Sequence, residues 1–455
     1  MPPNILFILV DGLRADQFYG DNRTCKTPNI DSLIKKGINC KQAVSSVDGT
    51  VNSLNTVFNG TFQVGDSVRN RNLIFNKNNF LDLLKNNGYN IYGVSPGFTL
   101  FNSLREYFQN KNNCLEWPIE TNMPPETLST GLTKRYTEIL ESKKTKEPFF
   151  CYFHIFDLHP LREGKKPVGI ENFDNEKFGS NMYARTVSSI DFWLGEILKK
   201  IDLKKTILII TADHGERIPF ENKGYSDFQP EFNSVKKIGE KFLPHSAHNI
   251  GGKFLGKIKN TVGKAKISYS NIELTSYEKR SRDPYFTLSL FDEMLRIPLL
   301  FVGTSIKHKI IEKQFRHVDI FPTICELIGL KSDIKTNGKS LTSILNENVN
   351  EESPNYLHTM GFKELSALDS IGLRTINYKY FRASRNSKEN VNLYDLKNDP
   401  LENNNIAKDN PELIEDMEKK LSEIISNTSN NYEQNNIGDD EEERIRNELT
   451  KLGYM

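Results

Sequence analysis

The sequence predicts an α/β protein with a mostly parallel central sheet, followed by a smaller antiparallel-sheet subdomain. Uniformly apolar segments alternate with amphipathic segments over most of the chain, which is typical of parallel strands covered by helices on both faces. After about residue 346 the apolar residues alternate as in antiparallel strands. A long polar stretch without periodicity interrupts the first part. We therefore predict a main domain at 1–345 with an insertion at 217–288, and an α+β subdomain with a charged helical tail at 346–455.

Five apolar runs are predicted to be the strands of the central sheet. They are NILFILV (4–10), YNIYGVS (89–95), PFFCYFHIF (148–156), TILIITA (206–212) and IPLLFVG (297–303). Four segments between them have helical spacing, namely TPNIDSLIKKG, NFLDLLKNNG, LTKRYTEILESK and SSIDFWLGEILKKI. Ligands of such sheets bind beyond the carboxyl ends of the strands. The segments VDG, FDLH and TADHGE, each just past a strand, are therefore expected at one end of the sheet.

Composition narrows the classes of function and location. Among the 455 residues, 60 are Lys or Arg and 59 are Asp or Glu, so no overall field favours nucleic acid or a membrane surface. The apolar start NILFILV is too short for a membrane span and is predicted to be a buried strand rather than a leader. The five cysteines are scattered and form no CxxC pair, so the expected location is a reducing cytoplasm. The oligomeric state is left open.

Three residues at predicted strand ends form a candidate metal site. Asp11 follows the first strand, and Asp213 and His214 follow the strand that ends in TADHGE. Two carboxylates and an imidazole are a suitable ligand set for a divalent ion. The competing interpretation of Asp11 is an N-cap of the next helix. An Asp-His-Gly run directly after an apolar strand is costly to place there without a ligand, so it favours the metal site.

Eight segments of the chain carry a family resemblance. They are PNILFILVDGLRAD, KTPNIDSLIKKG, TADHGE, LFDEMLRIPLLF, HVDIFPTICELIGL, LRTINYKYF, NLYDLKNDPLENNNIA and LTKLGYM. In this order they resemble the sulfatase branch of the alkaline-phosphatase superfamily, along nearly the whole chain. The resemblance implies an alkaline-phosphatase-like sandwich with a small C-terminal antiparallel-sheet subdomain. It also implies that residues 1–345 are the catalytic domain of a metal-dependent ester hydrolase.

The segment SSVDGTVNSLNTVFNG (45–60) occupies the place of the family's nucleophile. In patterns such as CxPSRxxLLTG the nucleophile lies ten residues before the closing Gly, and counting back from Gly60 reaches Thr50. In sulfatases this residue is Cys or Ser, converted to formylglycine with the help of the adjacent Pro and Arg. Here Asn52 and Leu54 replace those two residues, and threonine cannot be converted. The resemblance therefore implies Thr50 as nucleophile and metal ligand, whereas the competing interpretation is a helix N-cap.

Several other residues are candidates through the resemblance. His159 in FDLHP matches the family position that contacts the ester or its leaving oxygen, as general acid or positive clamp. The family often has two consecutive Asp residues after the first strand, but here Gly12 takes the place of the second. The remaining ligands, Asp11, Asp213, His214 and Thr50, would bind one ion, and a second ion is not favoured. Phe286 and Thr287 stand where some relatives have an anion-binding His, so that group is either missing or supplied by the insertion. The candidate substrate-binding residues are Arg14, His245, His248, Lys253 and His317.

These expectations lead to one principal function and two alternatives. The principal function is a hydrolase or transferase of anionic esters, with one Ca, Mn or Zn ion and Thr50 attacking phosphate mono- or diesters or phosphonates. The substrate would be a small anionic ester or a glycan- or lipid-linked ester. The first alternative is a sulfuric ester hydrolase that works without formylglycine. The second is a catalytically inactive sulfatase-like protein that binds a ligand through the insertion.

Overall fold

The computed structural model describes most of the chain. The described residues are 2–69, 72–111, 126–142, 144–162, 165–218, 275–282, 289–346, 352–360, 369–428 and 444. The chain divides into two compact units, one of residues 1–217 and 288–455 and one of residues 218–287. In the second unit the structure describes the helix Ser276–Arg282. The charged segment at 439–455, predicted to be a helix, lies outside the described residues apart from 444.

Seven strands form the central sheet of the first unit. They are β1 (Asn4–Val10), β2 (Ile38–Val44), β3 (Asn90–Val94), β4 (Phe149–Ile155), β5 (Thr206–Thr211), β6 (Leu299–Gly303) and β7 (Lys309–Arg316). Their order across the sheet is β3-β4-β1-β5-β6-β2-β7. Strand β1 pairs in parallel with β4 and β5, whereas β6 runs antiparallel to β5 and β2. The mostly parallel sheet predicted from the sequence is confirmed.

The five predicted strands are present, with ends that differ by at most two residues. Strands β2 and β7 were not predicted. Lys41 and Gln42 interrupt the apolar residues of β2. Strand β7 is an edge strand whose first half is largely exposed, including Ile310 at 45% exposure. Both therefore lack the uniform apolar pattern that marks the buried strands.

Thirteen helices lie along the described parts of the chain. They are α1 (Ala15–Tyr19), α2 (Pro28–Ile34), α3 (Thr50–Asn59), α4 (Phe80–Asn86), α5 (Asn102–Arg105), α6 (Thr133–Glu141), α7 (His159–Arg162), α8 (Met182–Leu198), α9 (Ser276–Arg282), α10 (Asp292–Leu295), α11 (His317–Leu327), α12 (Leu341–Asn346) and α13 (Pro411–Asn427). Short 3₁₀ or π turns lie at Gly65–Arg69, Thr99–Phe101, Leu128–Leu132, Glu176–Phe178 and Ala407–Asp409. No helix within the described ranges has both the length and the apolarity to cross a membrane.

A second, antiparallel sheet follows the first along the chain, as predicted. Its strands are β8 (Asn355–His358), β9 (Ser370–Arg374), β10 (Tyr378–Ala383) and β11 (Asn392–Asp395), in the order β11-β10-β9-β8. Helix α13 begins with a proline at its first turn, where the missing N–H costs nothing. It packs its buried Met417 and Leu421 against a core that includes Tyr356 and Tyr380. The edge strand β8 contacts the main domain through a bridge between Val47 and His358.

A buried group of charges links α10 to the second sheet. The guanidinium of Arg374 donates to Asp292 from Nε at 3.0 Å and from Nη2 at 2.8 Å. Lys379, which is 0% exposed, contacts Asp292 and lies 2.9 Å from Glu402. Burial alone would raise the pKa of Asp292, but the charges of Arg374 and Lys379 hold that pKa well below its usual range. The carboxylate of Asp292 is therefore ionised in the folded protein.

Candidate active site

Asp11 and Asp213 lie beyond the ends of two neighbouring strands. In the pairing of β1 with β5, Leu9 faces Thr211, so both carboxylates follow the same end of the sheet. The ligand atoms of Asp11, Asp213 and His214 all lie within 4.8 Å of one another, and the three side chains are buried. No other such cluster of three carboxylate, imidazole or thiolate groups occurs in the described part of the chain. The structure thus brings together the three side chains predicted to bind the metal.

The hydrogen bonds of Asp213 and His214 fit a bound cation. Oδ1 of Asp213 accepts from the backbone N–H groups of Gly12 at 3.1 Å and His214 at 2.8 Å. Its Oδ2 is buried without a hydrogen-bond partner among the described residues, which is costly unless a cation binds there. Nδ1 of His214 lies 2.6 Å from the carbonyl oxygen of Gly215. Because a carbonyl only accepts, Nδ1 carries the hydrogen, and Nε2 has the lone pair of a metal ligand.

The surroundings shift the pKa values of Asp11 and Asp213 in opposite directions. Burial, followed by the charge of Asp213, raises the pKa of Asp11. Burial also opposes ionisation of Asp213, but interactions with His214 and His154 and hydrogen bonds from Thr50 and the backbone of Gly12 outweigh it and lower the pKa of Asp213. Two buried carboxylates this close ionise together only with difficulty. A divalent ion would favour the ionised form of both, so the electrostatics fit a cation site.

Helix α3 places the Thr50 hydroxyl at this cluster. The helix begins at Thr50 and is closed by Gly60, whose φ of +65° gives the left-handed turn typical of a C-terminal glycine. The N-cap is Gly49, so the N-cap interpretation of Thr50 is wrong. The Thr50 hydroxyl donates to Oδ2 of Asp11 at 3.2 Å and lies 3.5 Å from Nε2 of His214. Thr50 therefore faces the predicted metal ligands rather than the core.

Two other polar residues of the 45–60 segment tie it to the second sheet. The hydroxyl of Ser46 donates to Oδ1 of Asn355 at 3.0 Å. Oδ1 of Asp48 accepts from the backbone N–H of Met360 at 2.9 Å. Burial raises the pKa of Asp48 to about 7. These contacts position the loop that precedes Thr50.

Ser53 and His317 support the loop that carries Asp213. The hydroxyl of Ser53 donates to the carbonyl oxygen of Asp213 at 2.6 Å and lies 3.0 Å from Nδ1 of His317. Nε2 of His317 lies 3.0 Å from the carbonyl oxygen of Ala212. Burial lowers the pKa of His317 to about 4. Both ring nitrogens thus have protein partners, and this geometry favours a structural role over the predicted contact with substrate.

His154 is a site residue that the sequence reasoning missed. It lies in β4 opposite Leu9 of β1, and it is 0% exposed. Its Nε2 is 3.8 Å from Oδ2 of Asp11, and its Nδ1 is 2.8 Å from the hydroxyl of Tyr152. Burial lowers the pKa of His154 to about 3, so the ring is neutral. The available signal was one polar residue within an otherwise apolar strand, one position before its last residue.

His159 and Arg162 lie at the two ends of the short helix α7. Burial, and then the charge of Arg162, lower the pKa of His159 to about 3. Nε of Arg162 donates to Oε2 of Glu216 at 2.9 Å. Burial raises the pKa of Asp11, and the charge of Arg162 opposes that rise. Arg162 therefore acts electrostatically on the candidate metal site, although only His159 was predicted.

The other predicted residues either make structural contacts or lie outside the described residues. Arg14 forms two hydrogen bonds with the carboxylate of Asp16, at 2.9 and 2.7 Å, and donates to the carbonyl oxygen of Glu216 at 3.3 Å. These contacts shape the loop after β1, and contact with the ester stays a prediction. Asp157 lies in the segment FDLH after β4, and its carboxylate accepts from the backbone N–H of Leu128, which is a structural role. The candidates His245, His248 and Lys253 lie outside the described residues. So do Phe286 and Thr287, the residues that replace the anion-binding His of some relatives.

Comparison with known families identifies two matching regions. Residues 3–330 match the family model described as Sulfatase. Residues 284–429 match the model described as N-sulphoglucosamine sulphohydrolase, C-terminal. The chain is 22% identical to arylsulfatase K of Mus musculus, covering 76% of this chain and 58% of the relative. It is 23% identical to N-acetylgalactosamine-6-O-sulfatase of Bacteroides thetaiotaomicron, covering 66% and 51%. The chain thus spans about half the length of these relatives.

Solved structures share the fold. A 2-O GAG sulfatase superposes with a TM-score of 0.64 at 19% identity, covering 94% of this chain and 92% of the other. The phosphonate monoester hydrolase of Agrobacterium radiobacter superposes with a TM-score of 0.62 at 15% identity, covering 93% and 95%. At these identities the likeness shows the fold alone. The predicted alkaline-phosphatase-like sandwich is confirmed.

Proposed function

Because the chain belongs to the sulfatase family, we propose that it is a metal-dependent hydrolase or transferase of anionic esters with Thr50 as nucleophile. The observation that carries the proposal is the 3.2 Å contact between the Thr50 hydroxyl and Asp11, beside Asp213 and His214. These side chains would hold one divalent ion, which would act as a Lewis acid on an oxygen of the site. One imidazole among carboxylates suits Mn²⁺ or Zn²⁺, and family precedent favours Ca²⁺.

The Thr50 hydroxyl favours phosphate and phosphonate esters. Its hydrogen is directed at Oδ2 of Asp11, which would accept the proton as the oxygen attacks. The bond from Oγ1 to phosphorus forms while the bond to the leaving oxygen breaks, and water then hydrolyses the phosphothreonine. Threonine cannot provide the hydrated aldehyde by which formylglycine expels sulfate. A sulfated Thr50 would therefore depend on direct attack by water.

Arg162 would supply the positive charge that the nucleophile helix lacks. Leu54 stands where the family pattern has Arg, and it is a fully buried core residue. An arginine near the site can bind an oxyanion through its fork of N–H donors. Arg162 and His159 are three residues apart in α7, so their side chains project from the same face of the helix. They would therefore approach the same substrate group.

Glu216 pairs with the guanidinium of Arg162 and borders the loop that follows Asp11. Oε2 of Glu216 accepts from Nε of Arg162 at 2.9 Å. The same Oε2 lies 3.7 Å from the position that a Cβ on Gly12 would take. Gly12 directly follows Asp11, and its φ of +68° favours glycine. The pair formed by Arg162 and Glu216 thus borders the loop of the first metal ligand, where an anionic ester would bind.

His159 would act on the leaving oxygen. The ring is buried and neutral in the absence of substrate, because burial and then the charge of Arg162 lower the pKa of His159 to about 3. The negative charge of a bound ester would raise that pKa and favour a proton on the ring. His159 could then donate this proton as the ester bond breaks. A neutral ring would still donate a hydrogen bond.

Sulfate ester hydrolysis is the second candidate function, favoured by the relatives' names. The matched relatives include arylsulfatase K and N-acetylgalactosamine-6-O-sulfatase. The site would bind a sulfate ester through the same groups, since sulfate and phosphate esters are both tetrahedral oxyanions. The covalent step on Thr50 distinguishes the two functions, because the sulfated residue lacks the release route of formylglycine. Under this candidate, a sulfated sugar is the proposed substrate class.

One assay panel tests both functions. The purified protein, supplied with Mn²⁺, Zn²⁺ or Ca²⁺, is incubated with aryl phosphate mono- and diesters, aryl phosphonate monoesters and aryl sulfates. We expect metal-dependent release of the aryl alcohol, fastest from phosphate or phosphonate esters. Faster release from sulfates would establish the second candidate instead. A protein that binds no divalent ion and turns over none of the substrates would be an inactive ligand-binding relative, which overturns the proposal.

A further inference from the structure

We propose that His154 is a positioning residue for the metal ligand Asp11, and that its Nε2–H group is directed at Oδ2 of that carboxylate. The assignment rests on the proposed function in so far as Asp11 binds the ion. Nε2 of His154 lies 3.8 Å from Oδ2 of Asp11. It is buried and has no hydrogen-bond partner among the described residues. The separation exceeds a hydrogen bond, so the present contact is an electrostatic one between the N–H dipole and the carboxylate.

The partner on the other side of the ring decides which nitrogen carries the hydrogen. The hydroxyl of Tyr152 lies 2.8 Å from Nδ1 of His154, and both side chains are fully buried. A buried phenol needs an acceptor, and Nδ1 is the acceptor that the structure provides. If Tyr152 donates to Nδ1, the single hydrogen of the neutral ring is on Nε2.

The opposite tautomer would be unfavourable at both ends of the ring. With the hydrogen on Nδ1, the hydroxyl hydrogen of Tyr152 would lose its acceptor. The lone pair of Nε2 would then face the negative Oδ2 of Asp11. Both contacts therefore favour the same tautomer, in which Tyr152 donates to His154 and His154 presents an N–H group to Asp11. Such outer partners orient a metal ligand and are costly to remove.

Aromatic neighbours hold the ring of His154 in this orientation. The ring of Phe156 lies 4.3 Å away between centroids, and that of Phe101 lies 5.6 Å away in an edge-on arrangement. Strand β4 also pairs with β1 two residues before Asp11, through Leu9 and His154. The imidazole is thus fixed by the sheet and by packing, independently of any ligand. This rigidity is what a group that orients a metal ligand requires.

The assignment also concerns the nucleophile. Oδ2 of Asp11 is the same oxygen that accepts the hydrogen bond from Thr50. An N–H group directed at this oxygen stabilises its negative charge and limits the rotation of the carboxylate. Loss of His154 should therefore weaken metal binding and also disturb the orientation of the Thr50 hydroxyl.

Three variants of the full chain test the assignment by metal binding, without relying on turnover. Calorimetric titration with Mn²⁺ or Zn²⁺ is expected to show roughly 10- to 100-fold weaker binding for His154→Ala. His154→Gln keeps an N–H group near the position of Nε2 and should recover most of the affinity. Tyr152→Phe removes only the hydroxyl and should weaken binding less than His154→Ala. His308→Gln, at an exposed histidine, is the control and should bind like the parent protein.

Nitrogen NMR of the histidine-labelled protein provides the second measurement. We expect a protonated Nε2 and an unprotonated Nδ1 for His154, assigned by comparison with His154→Gln. A proton on Nδ1, with Nε2 bound directly to the ion, would overturn the assignment. Unchanged metal affinity in His154→Ala, in a folded protein, would also overturn it. If the parent protein itself binds no divalent ion, the proposed function fails, which is a separate result.

Discussion

The hydroxyl oxygen of Thr50 lies 3.2 Å from Oδ2 of Asp11, although the two residues are 39 positions apart in the chain. The contact arises because the first turn of α3 lies beside the end of β1. Thr50, the first residue of α3, therefore points at the carboxylate of Asp11, the residue that follows β1. The same hydroxyl lies 3.5 Å from Nε2 of His214. A single side chain therefore touches two of the three candidate metal ligands.

The first prediction concerns this hydroxyl. Thr50→Ala should abolish turnover, because the covalent route requires the hydroxyl oxygen. Metal affinity and fold should be largely retained, since the N-cap of α3 is Gly49 and is unaffected. Thr50→Ser keeps the hydroxyl and should retain appreciable activity. The measurements are ester hydrolysis, metal titration and urea unfolding of each variant.

Thr56→Ala is the matched control for the Thr50 variants. Thr56 lies in the same buried helix, and its hydroxyl donates to the carbonyl oxygen of Asn52 at 2.8 Å. This substitution should cost about 1 kcal/mol of stability but leave the rate unchanged at saturating substrate. Full activity of Thr50→Ala would remove Thr50 from the role of nucleophile.

The second prediction concerns the proposed anion-binding arginine. Arg162→Gln should lower kcat/KM by roughly 10- to 100-fold, since a hydrogen bond to a charged group contributes about 1.5–3 kcal/mol. Inhibition by inorganic phosphate should weaken in parallel. Arg162→Lys should recover only part of the loss, because a lysine lacks the planar fork. Steady-state kinetics and phosphate inhibition measure both effects.

Arg185 offers a control of the same residue type. Its guanidinium pairs with Asp174 at 2.9 Å, away from the candidate site. Arg185→Gln should leave kcat/KM and phosphate inhibition unchanged. If Arg162→Gln has the same lack of effect, the anion must be bound by another group, and the predicted residues of the insertion become the first to test.

The third prediction is a pH dependence of stability at Asp292. The pKa of Asp292 is lower in the folded protein than its ordinary value of 3.8. Its stabilising effect is therefore fully present above about pH 4 and is lost as the pH falls towards the lower pKa of the folded state. Asp292→Asn should lower the free energy of unfolding by about 3–5 kcal/mol at pH 7, because Arg374 and Lys379 lose their buried, negatively charged partner. The free energies of unfolding of the parent protein and Asp292→Asn are measured in urea at pH 7, 5 and 3. The difference between the two proteins should be smaller at pH 3 than at pH 7 or 5.

Asp416→Asn is the control for that series. Asp416 pairs with Lys420 at 2.6 Å, and its side chain is 48% exposed. This substitution should have little effect on the free energy of unfolding at any pH. A difference for Asp292→Asn that stays constant from pH 7 to pH 3 would contradict the ionised, paired state of Asp292.

The fourth prediction concerns the glycine that closes the nucleophile helix. A Cβ at Gly60 would lie 2.8 Å from both Cδ1 of Phe321 and Cγ2 of Thr336, in a backbone with φ of +65°. Gly60→Ala should therefore cost more than the roughly 1–2 kcal/mol of a left-handed alanine alone. Gly88→Ala is the control, since Gly88 has φ of +83° and no atom within 4 Å of its Cβ position. Equal unfolding free energies for the two variants would contradict the close packing at Gly60.

The sequence predicted the buried strands and the metal cluster because both have strong local patterns. Strands β1, β4 and β5 are mostly apolar and buried along their whole length, and the Asp-His run directly follows one of them. Strands β2 and β7 were not predicted because polar or exposed residues interrupt their apolar patterns. Arg162 was missed for a related reason, since its importance depends on Glu216, which is distant in sequence. His154 has the pattern of a core residue, and only the pairing of β4 with β1 brings it to Asp11.

The spacing of the metal-site residues along the chain has a consequence for folding kinetics. The hydrogen bond from Gly12 to Asp213 spans 201 positions, so this part of the site exists only after β1 and β5 have paired. Contacts of such long range form late, because a long loop must close before they can contribute. An ion that binds only the completed site should therefore slow unfolding and leave the refolding rate almost unchanged. Stopped-flow experiments with and without chelator would show this as a change in the unfolding limb alone.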